Sequence, residues 1–163
     1  MKGDKKVIEA LNLALKIELT AVNQFTVHAR MLDHWGYARR GKYEMHEAIE
    51  EMKHMDMLIQ RILLLEGLPN LQDVGKLYIG QDLKELIEGD LRLEREAMDH
   101  YRKTVQICEQ ARDFVSRDLM IKLLDDEEKH EDALSTDLDL IKTIGIQNFA
   151  QSQMGEPGEH GGD

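Results

Sequence analysis

Six residues in this chain have the types and spacing of a metal cage: Glu18, Glu51, His54, Glu94, Glu127 and His130. Glu51-Met52-Lys53-His54 and Glu127-Glu128-Lys129-His130 are both Glu-x-Lys-His. Positions i and i+3 of a helix share a face, so each motif aims one carboxylate and one imidazole the same way. Glu18 lies 33 residues before Glu51, and Glu94 lies 33 before Glu127. A constant shift of 76 residues carries Glu18 to Glu94, Glu51 to Glu127 and His54 to His130. The same shift relates Leu15 to Leu91, Phe25 to Tyr101, Lys53 to Lys129 and Asp56 to Asp132. This regularity describes a duplicated helical hairpin folded about a pseudo-two-fold axis. A lone Glu-x-x-His is common on solvated helix faces, but two of them with two matched glutamates specify a site.

Burying four carboxylates without compensation is very unfavourable. Two divalent cations offset that penalty and leave the site close to neutral. Carboxylates bridge, and two of them can hold metals ~3.5–4 Å apart. Imidazole and carboxylate together suit iron, and also manganese or zinc. The expected arrangement puts Glu18 and His54 on one metal, Glu94 and His130 on the other, and Glu51 and Glu127 between them. The competing reading is a metal-free polar core whose members share protons, although apolar residues would make a simpler core.

Four long helices must position these groups, giving an all-α fold. The first runs from an Asp4 cap to about His34, burying Leu11, Ala14, Leu15, Ala21, Val22, Phe25, Ala29 and Leu32. The second runs from about Arg39 or Lys42 to Glu66, and Gly67-Leu68-Pro69 stops it with a glycine cap. Residues 67–82 lack a period and form the long crossover that lets two consecutive helices run parallel. Leu71, Val74, Leu77 and Ile79 are expected to pack that crossover on the bundle or a neighbour. The third helix runs from an Asp82 cap to about Arg112 and the fourth from about Phe114 to Thr143; a short fifth covers Ile146 to Met154. The tail 155–163 is glycine-rich and expected to be disordered, leaving 1–154 as the bundle. In each long helix the candidate ligand lies near the middle, so all six groups should meet at mid-bundle.

The formal charge of −11 argues against nucleic acid, because phosphate is repelled, and favours cations. The lone Cys108 excludes an intrachain disulfide and a cysteine-based metal module. No apolar run approaches the ~20 residues of a bilayer helix. The opening Met1-Lys2-Gly3-Asp4-Lys5-Lys6 lacks the apolar core of a secretory signal, so a soluble, cytoplasmic protein is expected.

The chain resembles the bacterioferritin family along nearly its whole length. The resemblance is carried by Met1-Lys2-Gly3-Asp4, Glu50-Glu51-Met52-Lys53-His54, Leu65-Glu66-Gly67-Leu68-Pro69-Asn70-Leu71-Gln72, and Asp126-Glu127-Glu128 with His130. It implies a ferritin-like four-helix bundle in which one Glu from each of two helices and Glu-x-x-His from each of the other two hold a di-iron centre. It also implies a ferroxidase that oxidises Fe(II) with O2 or H2O2 and stores ferric mineral in a hollow shell. That shell would have 24 subunits built from two-fold dimers, of one subunit type or two, with a ferredoxin-like reductant releasing the iron. Haem b would sit at the dimer interface with Met52 of each subunit as axial ligand. Bottom-up, Met52 points about 100° from the metal face and reads as part of an apolar stripe with Met45, Ile49 and Ile59. His46 and Glu50 match positions that can hold an inner-surface iron; their competing reading is a solvated face.

Two positions depart from the family pattern. Phe25 stands where a tyrosine is frequent beside the di-iron site, and Ala133 where a tryptophan is common. Tyr101, at the pseudo-symmetric position to Phe25, is the expected substitute redox phenol. Competing functions are a haem-carrying electron-transfer or structural subunit, and a peroxide-reducing di-metal bundle. A rubrerythrin would bring Cys-x-x-Cys pairs, which one cysteine cannot supply; a manganese catalase is separated by metal analysis.

Overall fold

A computed structural model describes residues 1–155. Among these residues there are five helices, α1 (Lys5–Trp35), α2 (Ala38–Leu64), α3 (Leu83–Gln110), α4 (Phe114–Ile144) and the short α5 (Ile146–Ser152). All but Gly155 of the expected tail falls outside the described residues. The Asp4 carboxylate caps α1 by accepting from the amides of Lys6 and Val7, at 2.8 and 3.3 Å. Asp82 caps α3 through Glu85 N, and Asp113 caps α4 through Ser116 N.

The end of α2 differs from expectation. The left-handed residue is Glu66, with φ 60°, not Gly67. Glu66 N–H reaches Leu63 O and Gly67 N–H reaches Ile62 O, the paired bonds of a Schellman turn. Gly67 is needed for space instead: a Cβ there would meet Ile8 Cγ2 at 2.8 Å and Ile62 Cγ2 at 2.9 Å.

α1 packs along α2 and α3, and α3 along α4. Gly3 N–H bonds Leu65 O at 2.9 Å, so the end of α2 lies beside the start of α1. Asp90 faces His28, Tyr101 faces Glu18 and His100 faces Ala10, so α3 runs antiparallel to α1 and parallel to α2. The crossover therefore travels the length of α1, and a polar row spaced every four residues receives it. Asn12 accepts from Asn70 N–H, Lys16 pairs with Asp73 at 3.1 Å, and Thr20 accepts from Gly75 N–H. Gln24 accepts from Tyr78 N–H and His28 from Gly80 N–H. Leu71, Val74 and Ile79 are exposed rather than packed on this bundle, because backbone amides and Tyr78 hold the segment.

The core has an apolar layer on each side of the middle. Leu11, Leu15, Leu58, Ile62, Tyr101, Met120 and Leu123 fill one end. Leu32, Leu86, Ile87, Leu134, Ile141 and Phe149 fill the other, with Trp35 packed on their edge. Of the stripe expected for the first helix, Val22 is only half-buried. Between the two layers the centre is polar.

Candidate metal centre

The six residues singled out by spacing meet at that centre. Glu18, Glu51, Glu94 and Glu127 are each 1–3% exposed, on four different helices. Their ligand atoms form two overlapping quartets, Glu18–Glu51–His54–Glu127 and Glu51–Glu94–Glu127–His130, with the atoms of each quartet within 4.8 Å of one another. Glu51 and Glu127 belong to both.

The two shared carboxylates divide their oxygens between the histidines. His54 Nδ1 lies 3.3 Å from Glu51 Oε2 and 3.2 Å from Glu127 Oε1. His130 Nδ1 lies 3.2 Å from Glu51 Oε1 and 3.1 Å from Glu127 Oε2. Glu18 completes the first group at 3.4 Å from His54, and Glu94 the second at 3.5 Å from His130. Helix spacing could not say which ring nitrogen faces inward; in both rings it is Nδ1.

The metal-free cage holds its charges by sharing protons. Burial, and then the charge of Glu51, push Glu18 well above the usual carboxylate range; burial and Glu127 do the same to Glu94. Burial opposes ionisation of Glu51 too, but hydrogen bonds from Glu18, His130 and His54 outweigh it and pull Glu51 below that range. Burial disfavours imidazolium, yet the surrounding carboxylates raise both His54 and His130 far above neutrality. Glu51 Oε1 and Glu127 Oε1 are buried without an aligned hydrogen bond, each with an imidazole Nδ1 3.2 Å away. Such carboxylate oxygens facing two imidazoles are the donor set that two hard or borderline cations complete, so these residues fit a di-metal pair.

The outer nitrogens are held from across the bundle. Asp126, on α4, accepts from His54 Nε2 on α2 at 3.2 Å. Glu47 Oε2, on α2, lies 2.6 Å from His130 Nε2 on α4, a close ion pair that is not aligned as a hydrogen bond. Sequence reading missed both. A signal was available for Glu47, because Glu44, Glu47, Glu51, His54 and Leu58 follow the 3–4 spacing of one helix face.

Tyr101 is fully buried and donates to Glu18 Oε1 at 2.5 Å. Burial, reinforced by Glu18, raises its pKa well above the phenolic range. Phe25 is buried in a neighbouring apolar cluster with Ala21, Ala48 and Leu93. The remaining candidates lie away from the cage. Met52 is 46% exposed and lines an open groove of about 440 Å3 with Ile49, Lys53, Asp56, Met57 and Lys122. Its expected stripe splits: Met45 and Ile59 half-bury against the core, while Ile49 and Met52 stay exposed. His46 Nε2 is 3.9 Å from Glu50 Oε1, an oxygen that Lys53 Nζ holds at 2.7 Å.

Comparison with known proteins agrees with this geometry. The ferritin-like domain model matches residues 8–144. A bacterioferritin of Brucella melitensis biotype 1 is 51% identical over 151 residues, covering 93% of this chain and 94% of the relative. One from Rhodobacter capsulatus is 47% identical over 150 residues, covering 92% and 93%. One from Mycolicibacterium paratuberculosis is 38% identical over 157 residues, covering 96% and 99%. With a family match over most of its length and relatives this similar from end to end, the chain belongs to the bacterioferritin family.

Proposed function

We propose that the protein stores and detoxifies iron, and that its mid-bundle cage is a ferroxidase centre. The observation that carries this reading is the division of Glu51 and Glu127 between two histidines, which prepares two adjoining cation positions. Fe(II) is the substrate. Glu18 and His54 receive one ion, Glu94 and His130 the other, and the shared carboxylates span both. Four carboxylates balance the four positive charges of two Fe(II), so binding replaces shared protons with metal charge. Oxidation with O2 or H2O2 then gives Fe(III), which collects as mineral inside a shell. The shell is a 24-mer of two-fold dimers with one or two subunit types, and a ferredoxin-like partner in the cytoplasm reduces the ferric mineral to release iron. No helix among the described residues is long and apolar enough to cross a membrane.

Haem b belongs to the same proposal. Exposed Met52, in a groove distinct from the cage, suits a thioether ligand shared with a second copy. When bound, haem supplies one-electron transfer. An iron stop on His46 and Glu50 would compete with Lys53 for Glu50 Oε1.

The test is anaerobic addition of Fe(II) followed by O2 or H2O2, watched by absorption. Rapid formation of ferric product saturating at two iron per chain is expected, with the fast phase lost in Glu127→Ala. A haem-free preparation that oxidises no Fe(II) faster than buffer does overturns the reading and favours the haem electron carrier.

A further inference from the structure

Beside the cage, on the side of His130, is a cavity of about 10 Å3, the size of one water. Its wall is formed by Tyr43, Glu44, Glu47, Asp90, Glu94 and His130, closed by Phe25 and Leu134. Asp90 is 1% exposed and uses its two oxygens unequally. Oδ1 accepts from Gln24 Nε2 and from His28 Nδ1, each at 2.8 Å. Oδ2 is buried and receives no amide, imidazole or hydroxyl donor; the carboxyl that lies against Asp90 is that of Glu44. Glu47 Oε2, across the same cavity, also lacks an aligned donor. Asp90 Oδ2, and Glu47 Oε2 with only its unaligned contact to His130, border a void of this size and define a water position with polar neighbours.

We propose that Asp90 is the proton acceptor of the metal centre, reached through a single water in this cavity. The inference rests on the ferroxidase reading above. Fe(III) hydrolyses water at the cage; the O–H bond of that water breaks, and its proton passes to the cavity water. The cavity water gives up a proton in turn, and a new O–H forms on Asp90 Oδ2. No electron moves in this step.

The surroundings of Asp90 suit a group that gains and loses a proton near neutrality. Burial raises it to about 7, against the opposing effects of Gln24, Glu44 and Arg40. From α1, His28 cannot supply or take the proton. Gly80 N–H occupies Nε2, so Nδ1 carries the hydrogen, and burial lowers the ring's pKa to about 4. From α2, Glu44 faces Asp90 and is itself pushed up by burial and by Asp90, with Arg40, Tyr43 and Glu47 beyond it. From α4, Asp137 pairs with Arg40, and His130 borders the cavity.

Infrared spectra of the metal-free protein, unlabelled and with 13C-aspartate, are recorded as pH is raised from 5 to 9. A protonated-carboxyl band that shifts with the label, fades near neutrality and is missing in Asp90→Asn is expected. In stopped-flow with a pH-indicator dye, Asp90→Asn should slow proton appearance after Fe(II) oxidation by about a hundredfold, the low end for one positioned proton-transfer group. No labelled band in the wild type, or unchanged proton appearance in the variant, overturns the proposal. Should Asp90→Asn fail to fold, the labelled wild-type band alone decides. Failure of the wild type to oxidise iron sinks the ferroxidase reading, and leaves the infrared result standing separately.

Discussion

Asp126 accepts from the outer nitrogen of His54 at 3.2 Å, reaching from α4 to α2 across the middle of the bundle. Glu47 answers from α2 to His130 on α4 at 2.6 Å. Each hairpin thus supplies a carboxylate that steadies the other hairpin's imidazole. With a carboxylate against each outer nitrogen, Nδ1 faces the cage, and such a partner would make the ring a better metal ligand.

Removing these partners should loosen the metal more than the fold. Asp126→Ala and Glu47→Ala are each expected to weaken Co(II) binding by roughly 10- to 100-fold, the usual effect of deleting an outer partner of a ligand histidine. Anaerobic titration followed by the Co(II) absorption bands measures this, with helical content as the control. Unchanged binding constants in both variants would contradict the role.

Stability of the metal-free protein should depend on pH in a direction set by the cage. Glu18, Glu94, His54 and His130 all have folded pKa values above their unfolded ones. The folded state then binds more protons than the unfolded chain, so stability falls as pH rises past the unfolded values of about 4.5 and 6.5. Glu51 opposes this, but its folded pKa is depressed and its contribution is complete above about pH 4.5. His28 sets the acid limit. Buried neutral, with a folded pKa of about 4, it contributes stability above pH 6.5 that is lost toward pH 4. Calorimetry should therefore show the metal-free melting temperature highest at mildly acidic pH and falling toward pH 8. Divalent metal should flatten the alkaline side, because cations replace the shared protons. A metal-free melting temperature that rises steadily from pH 6 to 8 would refute this account.

The cage was legible because its members repeat. Glu18, Glu51 and His54 return 76 positions later, and that regularity survives without knowing any contact. The helix caps at Asp4 and Asp82 were legible because they are local. The crossover at 67–82 was legible as a connection, but the way it docks was not. Asn12, Lys16, Thr20, Gln24 and His28 carry no motif of their own, and their partners lie in a segment with no period. Gly67 misled for a related reason. A glycine after a helix suggests a left-handed turn, whereas here the constraint is the crowding of Ile8 and Ile62, which only packing reveals. Glu44 and Asp90 stayed hidden because acidic residues on helices are ordinarily solvated, and burial is not written in residue type.

Tyr101 offers a separable test of redox function. Its hydroxyl donates to Glu18 Oε1 at 2.5 Å, so Tyr101→Phe removes one hydrogen bond to a buried carboxyl. Loss of stability of about 1–3 kcal/mol is expected from that change alone. If the phenol also supplies an electron during oxidation, as its place opposite Phe25 suggests, the variant should lose the tyrosyl radical signal and slow the oxidation. Freeze-quench paramagnetic resonance with parallel absorption kinetics distinguishes the two effects. An unchanged radical and rate would reduce Tyr101 to a packing and hydrogen-bonding role.

Met52 tests whether haem and ferroxidase chemistry are independent. The residue is one position from Glu51 yet faces a different groove, because successive helix positions diverge by about 100°. Met52→Leu keeps the apolar volume and removes the sulfur, so packing in that groove should change little. The expected outcome is loss or alteration of the haem absorption spectrum, with Fe(II) oxidation at the wild-type rate. Retention of an unaltered haem spectrum would place the axial ligand elsewhere. A parallel fall in oxidation would show instead that the groove and the cage, which share the α2 turn holding Glu51 and His54, do not act separately.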